Sequence, residues 1–351
     1  MSDGYLELTK LERDWEEAYQ WLCKRRKHHP PNSDVWHLRY HWHQRGRSLL
    51  KSVLSGEYRL SPMQVQRTRT DPVVAWSAAD ALVLKWVALQ VKPLLRLHDR
   101  CMHVKGRGGT GRMVGDVCAE LRSGCYRFMY RTDIRGYYQH IRKEQVRGLL
   151  QRSVHDAVLQ DLLEQYLHYS VEDGGNIVTP TLGIGRGCAL SPLIGASLLY
   201  HVDEHYANNP EIYYARYMDD FLLLTRTRWV LRRCVRELNT FFDREGFERH
   251  PDKTAVGRIE RGFDWLGAWI SPTGIAIAPR SLAQHRLRKL RLYEQARRIG
   301  MSEEAADRRV QTYERRWTIW ACSLVGTQNL QDCATPHARP RTRGFHALSL
   351  T

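Results

Sequence analysis

The feature that most constrains this chain is Tyr217-Met218-Asp219-Asp220, because apolar runs enter it and leave it. Ile212 to Tyr217 and Phe221 to Leu224 predict two short strands joined by a tight turn that carries adjacent acids. Such a hairpin sets two carboxylates at an exposed strand tip, rigidly held with their oxygens free. Hard-oxygen ligation of Mg²⁺ needs that arrangement. The competing reading is a plain turn, to which Asp is well suited.

A further carboxylate shifts the balance. Tyr126 to Ile134 reads as another strand with Asp133 near its end, followed by Arg135-Gly136-Tyr137-Tyr138. Taken alone, Asp133 is a strand-end or helix-capping residue. Together with Asp219 and Asp220 it completes the shared carboxylate set of two-metal nucleotidyl transfer, in which one ion activates a 3′-hydroxyl and the other stabilises pyrophosphate. Between these segments lies Gly183-Ile184-Gly185-Arg186-Gly187-Cys188-Ala189-Leu190-Ser191-Pro192. Its alternate glycines permit close backbone approach, and Ser191-Pro192 predicts a helix from Pro192 to about Tyr206 with Ser191 as N-cap. No Lys-Ser or Lys-Thr follows the last glycine, so it is a weak phosphate cradle.

In order and spacing these segments resemble the reverse transcriptase family, most closely the bacterial enzymes related to those encoded by group II introns. Asp133 to Ile141 is similar to the first catalytic motif, Gly187 to Pro192 to the next, and Tyr217 to Asp220 to the Tyr-x-Asp-Asp signature. His250-Pro251-Asp252-Lys253-Thr254 resembles the lysine motif, and Phe263-Asp264-Trp265-Leu266-Gly267 the hairpin that grips the primer. The resemblance runs from about Tyr58 to Ile270, and several motifs in order are far more specific than one.

The resemblance implies roles residue by residue. Asp133 and Asp219 bind both metals, Asp220 is a weaker ligand, and Ile134 offers a backbone carbonyl. Tyr138 stands where an aromatic side chain meets the nucleotide sugar and excludes a 2′-hydroxyl; a core aromatic is the alternative, and Tyr137 competes for the role. Lys253 serves the pyrophosphate, or is a solvated surface lysine. Arg67 and Arg69 fall in a basic fingers strand pair that contacts the triphosphate. Lys105 and Arg107, in a glycine-rich stretch, contact primer or template, with a flexible turn as the rival. Leu266 and Gly267 hold the primer. One departure stands out: the family's Pro-Gln-Gly is Gly185-Arg186-Gly187 here, so Arg186 and Gly187 meet the nucleotide or template with a guanidinium in place of an amide.

Composition agrees. A net charge of +16 implies a polyanionic partner, and 42% hydrophobic residues separate the chain from a disordered basic tail. Interleaved tryptophans such as Trp36 and Trp42 either stack bases or fill helix cores. The cluster from His28 to His43 lacks a metal-ligand pattern and reads as a basic or solvated surface. No segment is long and apolar enough to span a membrane, and Met1 to Lys10 does not read as a secretory signal. Eight scattered cysteines without a C-x-x-C pair suit a reduced, cytoplasmic protein.

The expected fold is α+β: a right-hand polymerase of fingers, palm and thumb, with an antiparallel palm sheet and a mostly helical N-terminal region and thumb. Its boundaries are a helical extension over 1–57, fingers and palm over 58–275, a helical thumb over 276–326 and a flexible tail over 327–351. The predicted helices include Leu6 to Lys27, Ser77 to His98, Trp229 to Phe242, Arg280 to Arg298 and Ala305 to Ala321. The expected activity is RNA-directed DNA synthesis with two Mg²⁺ ions, or Mn²⁺, using dNTPs, an RNA template and a DNA primer or RNA-DNA duplex. A structured non-coding RNA or an accessory protein is a further expected partner. The alternatives are a nucleic-acid-binding protein with weak or lost catalysis, and a template-independent or protein-primed polymerase of phage defence.

Overall fold

The computed structural model describes residues 2–67, 72–104 and 108–326, with side chains from residue 9 onward and without that of Arg67. In chain order the elements are α1 (Ser2–Arg25), α2 (Asp34–Tyr40), α3 (Trp42–Leu54), β1 (Met63–Arg67), β2 (Pro72–Ala75), α4 (Ala78–Val91) and α5 (Gly109–Arg122). There follow β3 (Phe128–Asp133), α6 (Tyr137–His140), α7 (Lys143–Ser153), α8 (Ala157–Leu167), β4 (Val171–Asp173), β5 (Asn176–Val178), α9 (Ser191–Leu198) and α10 (Tyr200–Ala207). The rest is β6 (Ile212–Tyr217), β7 (Asp220–Thr225), α11 (Arg228–Glu245), β8 (Ala255–Arg258), β9 (Phe263–Trp265), β10 (Ala268–Ser271), β11 (Gly274–Ile277), α12 (Pro279–Arg298) and α13 (Glu303–Val325).

Two compact units divide these elements. The first holds the described residues up to Gly109 together with Arg127–Gly257; the second holds Thr110–Tyr126 and the described residues from Arg258 onward. In the first unit the central sheet runs β6-β7-β3-β8, and β7 pairs antiparallel with both β6 and β3. β7 is buried along Phe221–Thr225, so it reads as a continuous apolar run in place of an alternating one. α11 packs on this sheet through Leu231, Cys234, Leu238 and Phe242, the apolar stripe of its 3.6-residue period. Ser77 caps α4 by accepting the Asp80 N–H at 3.0 Å. α4 ends at Val91, short of the expected His98, because Pro93 cannot continue the backbone ladder. In the second unit α12 packs against α13, and β9, β10 and β11 form a separate antiparallel sheet.

Two expectations about the central helix are corrected. Leu190, already in helical conformation, precedes the first turn, and no side chain caps it, so Ser191 is the first helical residue and not the N-cap. The predicted helix from Pro192 to Tyr206 is two helices that break at Leu199.

Candidate active site

Register brings the acids together. Asp133 ends β3 directly opposite Asp220, the first residue of β7, and Asp220 also faces Tyr217 across the hairpin. Asp219 lies in the turn, tied back to β3 because the Ile134 N–H donates to the Asp219 carbonyl at 3.2 Å. One ligand oxygen from each of Asp133, Asp219 and Asp220 lies within 4.8 Å of the others. The hairpin tip is less exposed than expected: Asp133 is buried and both hairpin acids are half-buried.

Like charges directly opposite one another destabilise a sheet. Burial first, then the Asp133 and Asp220 charges, push Asp219 up to about 7. Asp133 Oδ1 is buried and has no hydrogen-bond partner among the described residues. A hard-oxygen cluster with an unmatched buried acceptor fits a divalent cation, which supplies the missing positive charge.

Lys253 lies at this cluster. Its Nζ donates to Asp133 Oδ2 at 2.5 Å. Burial works against the ammonium, but the Asp133 ion pair outweighs it and raises the lysine above its ordinary value. The segment that carries it is sewn to β3: the His250 N–H donates to the Asp133 carbonyl at 2.7 Å, and the Thr132 and Thr254 hydroxyls meet at 2.8 Å.

The two tyrosines separate. Tyr137 is a core residue whose hydroxyl donates to the Gly195 carbonyl at 2.8 Å and whose ring meets Phe247 edge-on. Tyr138 is half-buried, and its phenol is raised by burial first and then by the Asp219 charge. Both rings lie on Gly195 of α9, where an added Cβ would meet Tyr138 at 3.0 Å and Tyr137 at 3.1 Å.

Four residues that the sequence reading passed over, Arg216, Asp203, Tyr214 and His103, brace the hairpin. Arg216, wholly buried, pairs with Asp203 of α10, donates to the Met218 carbonyl at 2.7 Å and donates to the Ala196 carbonyl of α9 at 3.1 Å. The Tyr214 hydroxyl also donates to Asp203, at 2.6 Å. Burial opposes the guanidinium charge, and Asp203 more than offsets it, so the arginine is raised further. From the other side His103 Nδ1 accepts the Met218 N–H at 3.1 Å while Nε2 lies 3.0 Å from the Pro192 carbonyl. Accepting at Nδ1 puts the proton on Nε2, so the ring is a neutral strut between α9 and the turn. Met218 needs such bracing, since its φ of 57° is unusual outside glycine. A lone arginine inside an apolar strand was the available signal for Arg216; nothing local marks His103.

The other predicted residues are distributed as follows. Arg186 and Gly187 are exposed, and Arg186 acts electrostatically on Tyr169. Gly185 packs on Trp76, whose ring an added Cβ would meet at 2.7 Å, and its carbonyl accepts from the Tyr166 hydroxyl at 2.8 Å. Arg67 ends β1, with its side chain outside the described set; Arg69, Lys105 and Arg107 lie outside the described residues altogether. Leu266 and Gly267 form the β9–β10 turn of the second unit, at φ 49° and 88°.

The model of the reverse transcriptase (RNA-dependent DNA polymerase) domain matches residues 88–270, just over half of the 351-residue chain. The chain belongs to the reverse transcriptase family. No curated protein matches it at the sequence level. Among solved structures it is similar to telomerase from Candida albicans in complex with a fragment of telomeric RNA, at 13% identity and a TM-score of 0.50, over 66% of this chain and 49% of that one. It is also similar to apo telomerase from Candida tropicalis truncated from its C-terminal domain, at 14% identity and a TM-score of 0.41, over 57% of this chain and 45% of that one. The chain thus spans about half the length of these structures. The expected α+β polymerase fold, with antiparallel sheets, is the fold observed. Among the described residues no helix is long and apolar enough to cross a membrane.

Proposed function

We propose that this chain is an RNA-directed DNA polymerase that adds dNTPs to a 3′-hydroxyl by two-metal nucleotidyl transfer. The observation that carries the reading is the cross-strand Asp133/Asp220 pair completed by Asp219, whose oxygens converge while one stays unmatched. Asp133 and Asp219 hold both ions, Asp220 is the weaker ligand and the Ile134 carbonyl assists. Mg²⁺ suits these hard oxygens, and Mn²⁺ can replace it. When bound, the ions activate the 3′-hydroxyl and steady the pyrophosphate. Lys253 balances the acid cluster and offers a proton toward the leaving group. Tyr138, half-buried and close enough to Asp219 to feel its charge, excludes a 2′-hydroxyl; Tyr137 is committed to the core. Arg186, Gly187, Arg67 and Arg69 take the triphosphate or template, Lys105 and Arg107 the nucleic acid, and Leu266 and Gly267 the primer.

In this reading residues 58–275 are fingers and palm, 276–326 the thumb and 1–57 an N-terminal extension. The template is RNA, with DNA also accepted, and the primer is DNA. A structured RNA or accessory protein completes the assembly. The order and wording of the motifs support reading the chain as a bacterial enzyme of the group II intron-like branch, working in the cytoplasm in a retroelement or in antiviral defence.

Primer extension on an RNA template tests this, with wild type beside Asp219→Asn, dNTPs against NTPs, and arms lacking primer or template. Products that need dNTPs and template and fall to background in the variant are expected. Full extension by the variant removes the site assignment, and product without template transfers the chain to the template-independent class.

A further inference from the structure

We propose that the cleft between α12 and α13 binds an unpaired stretch of nucleic acid, with bases stacked on Trp317 and Trp320 and phosphates paired with Arg288 and Arg291. The inference rests on the polymerase reading for the source of the strand, template or product, and on the second unit alone for the site.

Tyr313, Trp317 and Trp320 recur at the spacing of one helical stripe on α13, and Ser281, His285 and Arg288 do so on α12. A stripe of that kind normally disappears into a helix-helix seam. Here the facing stripes line an open cleft of about 700 Å³, within the range of small-ligand sites. His285 lies flat on Trp317 at 3.9 Å and 18°, and its Nδ1 lies 3.2 Å from the Tyr313 hydroxyl. Burial, with Lys289 beside it, holds that imidazole below its ordinary value, so a neutral ring extends the aromatic wall. Trp317 and Trp320 are 6.0 Å apart and tilted by 54°, so the pair does not close on itself. Gly267 fixes Trp320 from behind, since a Cβ there would meet the indole at 2.8 Å. The platform is therefore preorganised by the turn to which the primer contact is assigned.

Charge selects the occupant. α12 carries seven Lys and Arg (Arg280, Arg286, Arg288, Lys289, Arg291, Arg297, Arg298) against one acid, Glu294. Leu287, which lines the cleft next to Arg288, is 53% exposed. Flat aromatic faces beside guanidinium groups suit bases with phosphates, and recessed faces suit unpaired bases, because a duplex hides its base faces within its own stack.

The test is fluorescence anisotropy with the full chain, on DNA and RNA single strands of about 12 nucleotides, within the footprint range of stacking sites, and on blunt duplexes of the same length. Trp317→Leu should weaken single-strand binding about tenfold or more and duplex binding by less than about twofold, with Trp317→Phe recovering most of the loss. Arg288→Ala with Arg291→Ala, both at exposed positions, should lower the single-strand salt slope by about one to two. Equal losses on single strands and duplexes, or no loss with either variant, overturn the proposal. The DNA and RNA arms tell product from template. Extension assays run in parallel separate the two readings: Trp317-dependent strand binding without any wild-type extension sinks the polymerase and keeps the cleft, whereas extension with Trp317-indifferent binding does the reverse.

Discussion

Three acids at one strand end work against folding, and Asp219 shows how far. Its folded value of about 7 lies above that of an unfolded Asp, near 4. Between those values the folded protein holds a proton that the unfolded chain has released. The stability that depends on this proton is complete below about pH 4 and is lost as pH rises through about 7. In chelator at pH 8, Asp219→Asn should therefore stabilise the protein by about 1–3 kcal/mol, with the gain fading toward pH 4. Thermal unfolding at the two pH values measures it, and a variant that melts at or below wild type at pH 8 contradicts the electrostatic account. Arg216 makes the opposite case. Removing one partner of a buried pair strands the other, so Arg216→Met should cost about 3–5 kcal/mol, and Arg216→Met with Asp203→Leu distinctly less than the sum of the singles. Additive costs in denaturant titrations would show that the two are not coupled. The acids were legible because Asp-Asp between apolar runs and Asp at a strand end are local patterns. The pairing of Arg216 with Asp203, and of Lys253 with Asp133 across 120 residues, is written only in the tertiary fold.

At the level of elements, periodicity carried the reading wherever a segment had one face to bury. α11, α12 and α13 fall within a few residues of their predicted spans. It failed at Leu199, where an apolar, helix-compatible run breaks with no capping side chain and the two halves are joined through the Arg216 guanidinium. Turns are where such joints can be tested. His103→Ala removes at once the acceptor for the Met218 N–H and the contact to Pro192. Extension should slow about tenfold, the worth of one hydrogen bond held in the right place. Addition of imidazole, or the variant His103→Gln, should restore part of the rate; an unchanged rate in His103→Ala shows that the turn holds itself. In the β9–β10 turn, Gly267→Ala meets both a φ of 88° and the Trp320 ring, so a loss of about 1–3 kcal/mol is expected in chemical denaturation. An unaltered midpoint would mean that the turn or the indole shifts freely.

For the whole molecule the governing quantity is charge. At +16 the chain repels itself, and a phosphate backbone is the partner that turns this into affinity by releasing counterions. The family match ends at residue 270, before α12, so the most basic helix of the second unit lies beyond the matched domain. If α12 supplies phosphate contacts, affinity for a primer-template hybrid should fall steeply between about 50 and 300 mM salt, with a logarithmic slope near −5 for about half a dozen contacts. Arg286→Gln with Arg298→Gln, both exposed, should make that slope shallower by about one to two. The rate at saturating hybrid should hold, because neither residue belongs to the acid cluster. Anisotropy across the salt series with single-turnover extension at saturation measures both. A slope that does not move would assign the charge of α12 to solubility and leave the hybrid to the first unit. A shallower slope with an unchanged rate would make α12 a holding element, which keeps the duplex bound and takes no part in the chemical step.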